Sequence, residues 1–138
     1  MSDSVACIDY RDGKIFIAKR QKGGDMGGRW EFPGGKIDSG ENYQQAIKRE
    51  MNEEFSVDVD VFEKIGFCQF EHKGKTCTVQ AFKVHFAHDG IEKKFVLTEH
   101  TDYKWVFPSE IKKLNFVDSD LKLLPEVFKN LGIKEDDR

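Results

Sequence analysis

Four ionisable side chains crowd the run Arg49-Glu50-Met51-Asn52-Glu53-Glu54. In a helix, Glu50, Glu53 and Glu54 stand at i, i+3 and i+4 and share one face. Like charges at that spacing repel by about 0.2–0.5 kcal/mol per pair. A hard divalent cation bound by several oxygens would turn this repulsion into a site. A solvated acidic face is the other use of such a cluster. The glycine-rich stretch Phe32-Pro33-Gly34-Gly35-Lys36 precedes it. A Walker A loop needs glycine where Trp30 stands and Ser or Thr where Ile37 stands, so a P-loop is excluded.

The spacing of residue types extends further. Gly35 is followed after five residues by Glu41, after seven more by the Arg49–Glu54 run, and after one more by Ser56-Val57. This pattern resembles the Nudix box of the Nudix hydrolases, G-x5-E-x7-R-E-U-x-E-E-x-G-U with U apolar. Phe32-Pro33-Gly34-Gly35-Lys36 resembles the MutT-like branch. Ser56 is the one departure inside the box, at a glycine that would supply a left-handed helix end.

The resemblance implies a magnesium-dependent pyrophosphohydrolase, with manganese as a possible substitute. MutT-like members convert a nucleoside triphosphate to the monophosphate and pyrophosphate, by attack of water on phosphorus. Oxidised guanine or cytidine nucleotides are the expected substrates. The alternatives are another nucleoside diphosphate-X substrate, such as a nucleotide sugar or a dinucleoside polyphosphate, or a nucleotide-sensing module without turnover. Carried over by position, Glu50, Glu53 and Glu54 match metal ligands, with the Gly34 carbonyl and Glu99 as further ligands. Glu50, Glu53 and Glu99 remain alternatives for the general base. Arg49 matches a residue that orients the carboxylates, Lys36 and Arg20 match phosphate-binding residues, and Glu41 matches a structural one. His100, beside Glu99, is read as a surface histidine.

Base recognition falls to Asp118, where MutT-like enzymes place an Asn or Asp before the last helix. Asp120 is the alternative, and helix capping is another use of either. An ionised carboxylate only accepts hydrogen bonds, which favours a base edge offering N–H groups. Phe70, Phe82 and Trp30 are candidates to stack on a base, although most of the twelve phenylalanines must be core.

These residues sit in a chain of 138, one domain by length and long enough for a core of its own. A net charge of −3 gives no case for a protein that coats nucleic acid. Cys7, Cys68 and Cys77 are odd in number and widely spaced, which predicts free thiols rather than disulfides or zinc. A mean hydropathy of −0.60 and no long apolar run predict a soluble, cytoplasmic protein that avoids membranes. Its partner is a small nucleotide, and monomer and homodimer remain open.

The elements that must position the site follow from periodicity. Residues 5–10 and 14–20 read as strands joined by the Asp12-Gly13 turn. Residues 21–28, rich in glycine, read as a flexible loop, either flanking a pocket or merely connecting. Residues 29–32 form a short strand ended by Pro33. Residues 42–54 form the catalytic helix, with Tyr43, Ile47, Met51 and Phe55 packed inward. Ser39 and Asn42 make no full capping box. Val57, Val59 and Val61 alternate as a strand, which 65–70 continues or restarts after a bend. Residues 72–75 turn, 76–86 form the longest strand, 88–90 turn again, and 95–97 are a short apolar piece. Residues 103–107 are a strand, 109–113 one helical turn and 119–131 the second main helix, with Pro125 kinking it or marking its start. Residues 134–138 read as a frayed tail. The inventory is α+β, and the resemblance makes it a Nudix-like α/β/α sandwich with a mixed sheet and two main helices.

Overall fold

The computed structural model describes residues 2–24, 26–134 and 136–138. Strands β1 (Ser2–Ile8), β5 (Gly34–Lys36), β6 (Val59–His72) and β7 (Lys75–Phe86) form one sheet in the order β5-β1-β7-β6. The β1–β7 pair is parallel and the other pairs are antiparallel, so this sheet is mixed. Strands β2 (Tyr10–Arg11), β3 (Lys14–Arg20), β4 (Trp30–Glu31) and β8 (His100–Val106) form a second sheet around β3. Helix α1 (Tyr43–Phe55) follows β5; α2 (Pro108–Ile111) and α3 (Asp118–Leu131) close the chain.

Side chains alternate across a strand, so a strand covered on both sides feeds two cores. Val5, Cys7, Phe16 and Ala18 pack with Ile47, Met51 and Phe55 of α1. Ala6, Ile8, Ile15 and Ile17 pack with Leu123, Leu124, Val127 and Phe128 of α3. Helices thus cover both faces, an α+β sandwich.

Several details differ from the pattern reading. Residues 5–10 are not one strand: the chain changes sheets at buried Asp9, which takes two bonds from Arg11 (2.9 and 2.8 Å) and one from the Phe86 N–H (2.9 Å). The two strand pieces after α1 are one bulged strand, β6, with register shifts between Val61 and Gly66. Helix α1 has a full capping box: Asn42 accepts from the Gln45 N–H (2.8 Å) and Gln45 accepts from the Asn42 N–H (3.0 Å). Tyr43 departs from the inward stripe. It is half-exposed and stacks on Phe82, with ring centroids 4.4 Å apart. Pro125 lies in the interior of α3 rather than at its start. The tail is tied down, not frayed: Ser109 N–H reaches the Asp137 carbonyl (3.1 Å), and the Arg138 guanidinium lies over the Phe107 ring. Residues 25 and 135, within the expected loop and tail, lie outside the described residues. Among the described residues no helix is long and apolar enough to cross a membrane.

Candidate active site

The glycines of the Phe32–Lys36 stretch lie in a strand. Gly34 and Gly35 pair with Ala6 and Val5 in β5. Neither is required by a left-handed φ. A Cβ on Gly34 would collide with the Val5 carbonyl, and one on Gly35 would lie 2.5 Å from the Glu50 carboxyl carbon. Close approach is what selects glycine here. It lets the α1 carboxylates rest directly on the strand backbone.

Arg49 organises the box. Its five N–H groups reach Glu41 twice (2.7 and 2.9 Å), Glu50 (2.9 Å), Glu53 (3.2 Å) and the Lys36 carbonyl (3.0 Å). Glu41 also accepts from the Asp38 N–H (2.8 Å). The Arg49 bonds, and then that backbone bond, hold the Glu41 carboxyl below its usual range. At the other end of α1, Ser56 takes the left-handed conformation (φ 54°, ψ 46°) and its N–H reaches the Asn52 carbonyl at 2.9 Å. The family's glycine geometry is therefore kept with a serine.

Glu99 reaches the site because its loop caps α1. Thr98 Oγ1 donates to the Glu53 carbonyl (2.8 Å), and the Val96 N–H donates to the Phe55 carbonyl (3.2 Å). Phe95 anchors this loop in the core.

A cleft of about 830 Å³ gathers the pieces. Arg20, Gly34, Lys36, Glu50, Glu53, Glu54, Phe70, Glu99, Asp118 and Asp120 all line it. Arg49 stands behind the carboxylates. Phe82 is not brought to the cleft: it is 2% exposed, and its ring packs in the α1 core beneath Tyr43. Trp30 is also outside the lining, flanked by Lys104 and Lys19.

Glu54 is 2% exposed, and burial first, then the charges of Glu50, Glu31 and Glu99, push its carboxyl up to about 10. Burial also raises Glu50. One Glu54 oxygen has no hydrogen-bond partner. Converging buried carboxylates with an unsatisfied oxygen suit a divalent cation.

Two residues escaped the pattern reading. Glu31 lines the cleft, bonds Arg20 (3.0 Å) and contacts His100 (2.8 Å). His100 is not on the surface; it is 5% exposed, and together with Glu31 and Glu54 it forms a cluster able to hold a metal ion. No spacing rule links β4, α1 and β8. The adjacency of Glu99 and His100 was the available hint.

At the cleft's other end, Asp118 is 68% exposed and pairs with Arg29 (3.2 Å). Neither aspartate caps α3, whose N-cap is Val117 with no side-chain bond. Asp120 is buried and accepts from the Phe32 N–H at 2.9 Å. Burial, then the Glu31 charge, push it up to about 8.

The NUDIX domain family model matches residues 2–127. The chain belongs to the Nudix hydrolase family. Its MutT-like character shows in its relatives. It is 34% identical to the CTP pyrophosphohydrolase of Escherichia coli strain K12 over 124 residues, covering 90% of this chain and 89% of that protein. It is 32% identical to the 8-oxo-dGTP diphosphatase of Haemophilus influenzae over 111 residues, covering 74% and 79%. The solution structure of the E. coli ORF135 protein superposes with a TM-score of 0.81 at 32% identity, covering 94% and 89%. The Methanosarcina mazei MutT structure, at 22% identity and a TM-score of 0.79 with 96% of each chain covered, shares the fold. Nudix hydrolases generally use divalent metals, and in this chain Glu31, Glu54 and His100 form a cluster that could hold one.

Proposed function

We propose that this Nudix hydrolase converts a nucleoside triphosphate, cytidine or oxidised guanine, to the monophosphate and pyrophosphate. The observation carrying the reading is the convergence of Glu50, Glu53, Glu54 and Glu99 on one cleft, with the buried Glu54 oxygen unpartnered. Magnesium is the proposed ion, held by those carboxylates and the Gly34 carbonyl. A bound ion would neutralise phosphate charge and position the attacking water. Lys36 and Arg20, both in the lining, offer positive charge to the phosphate chain. Arg49 keeps Glu50 and Glu53 aimed inward, which is positioning rather than contact with substrate. One of Glu50, Glu53 and Glu99 takes the water's proton.

The base lies at the other end, against Phe70, with Asp118 and Asp120 presenting carboxyls to its edge. Near neutral pH, Asp120 holds its proton and can donate as well as accept, whereas an ionised Asp118 only accepts. One donor-capable and one acceptor-only group suit an edge carrying both a carbonyl and N–H groups. The names of the E. coli and H. influenzae relatives support the same two substrate classes.

The test is a panel of CTP, dCTP, 8-oxo-dGTP, a nucleotide sugar and a dinucleoside polyphosphate, each incubated with magnesium while pyrophosphate release is followed. Glu53→Gln is expected to cut turnover by about 10²-fold or more with the fold unchanged. Near-wild-type turnover would remove Glu53 from the metal site. Binding without turnover of any member would leave a nucleotide-sensing module.

A further inference from the structure

We propose that His100 Nδ1 is a nitrogen ligand which, together with Glu54, binds a first-row transition-metal dication, for which manganese is the spectroscopic probe. The proposal rests on the reading above that Glu54 helps to hold a cation, and adds a donor type that the box itself lacks.

The argument begins with the ring. His100 Nε2 lies 2.8 Å from a Glu31 carboxylate oxygen. A carboxylate accepts, so the neutral ring carries its hydrogen on Nε2. Nδ1 is left with a lone pair. It faces Glu54 Oε1 at 3.9 Å, too far for a hydrogen bond. Both His100 Nδ1 and Glu54 Oε2 are buried without a partner. Nδ1 and the Glu54 carboxyl, whose other oxygen is the unpartnered one, thus border one gap that neither fills.

A cation fits that gap. Two bonds of about 2.0–2.2 Å each, meeting at a wide angle, span roughly 3.9 Å. A metal-bound histidine that gives its other N–H to a carboxylate is a recurring arrangement, and Glu31 stands where that carboxylate belongs. Phe55 stacks on the imidazole, with centroids 5.1 Å apart and planes at 19°, which fixes the ring plane. Access exists from two sides. Glu31 and Glu54 line the main cleft, while a second hollow of about 270 Å³ reaches Glu31 and His100 from the side of Gln21 and Lys22. Imidazole suits later first-row ions, whereas magnesium keeps to oxygen. The nitrogen therefore favours a first-row transition ion over magnesium at this position.

The deciding measurement is 14N electron spin echo modulation of the manganese-loaded protein. The expected result is the coupling of a directly bound imidazole, absent in His100→Gln with manganese still bound. Manganese affinity should fall about tenfold or more in that variant, by calorimetry, and magnesium affinity by less. Because the ring is buried, a second measurement uses the wild-type fold. In protein labelled with 15N-histidine, zinc should move one Nδ1 resonance out of the range of free imidazole. Bound manganese with no 14N coupling, coupling unchanged in His100→Gln, or no zinc-induced shift would each overturn the proposal. Pyrophosphate release persisting in those cases would leave the hydrolase reading intact. Failure of manganese to bind at all would overturn the proposal and weaken that reading with it.

Discussion

The guanidinium of Arg49 chelates the Glu41 carboxylate with two hydrogen bonds of 2.7 and 2.9 Å, across eight residues of sequence. Its remaining donors reach Glu50, Glu53 and the Lys36 carbonyl, so one side chain ties the loop before α1 to β5 and to the carboxylate face. Lysine offers a point charge and cannot reproduce the planar fork. Arg49→Lys should lower turnover by about 10–100-fold, mainly through metal affinity. Magnesium calorimetry beside kcat and KM checks this: unchanged affinity with unchanged kcat would show that the fork does not set the carboxylates.

Gly34 and Gly35 should separate stability from activity. A side chain on Gly34 meets the backbone of β1, which cannot give way, so Gly34→Ala should destabilise by about 1–3 kcal/mol. A side chain on Gly35 meets the Glu50 carboxyl, the far end of a flexible side chain. Gly35→Ala should keep most of its stability and lose activity because Glu50 is displaced. Urea midpoints with pyrophosphate assays distinguish the two, and equal loss of stability in both would contradict it.

Ser56 holds a left-handed conformation that favours glycine. Ser56→Gly relieves that strain, less the extra chain entropy of glycine, for a net gain of about 0.5–1 kcal/mol. The chemistry should be unaffected, because the cap N–H bond to Asn52 is a backbone bond. A lower urea midpoint in the variant would show that the serine has a further role.

Asp120 makes stability depend on pH. Its folded carboxyl titrates at about 8, against about 3.9 in an unfolded chain. The folded state therefore binds the proton more tightly. This contribution is fully present below about pH 4 and is lost as pH rises through about 8. Asp120→Asn removes it, so the variant should gain on the wild type across that window, by a few kcal/mol at most, and level off above it. Thermal unfolding of both proteins at several pH values, without metal, measures the difference. A gap that does not change with pH would place the titration elsewhere.

The sequence by itself determined the local features. Helical spacing put Glu50, Glu53 and Glu54 on one face, and alternation sent Ile15 and Ile17 to one core and Phe16 to the other. The Nudix pattern gave the family, because fixed residue types at fixed spacing lie within one strand–loop–helix stretch. Only the tertiary structure decided which distant side chains meet. His100, read as a surface residue, is buried between Glu31 and Glu54 because β8 pairs with β3, and β3 with β4. Phe82, a candidate to stack on a base, is in the core because its strand register turns it toward α1. Glu99 is placed by hydrogen bonds from its loop to the end of α1. Periodicity reports which face of an element is apolar; it holds no information on which elements pair, and burial and pKa follow from that pairing.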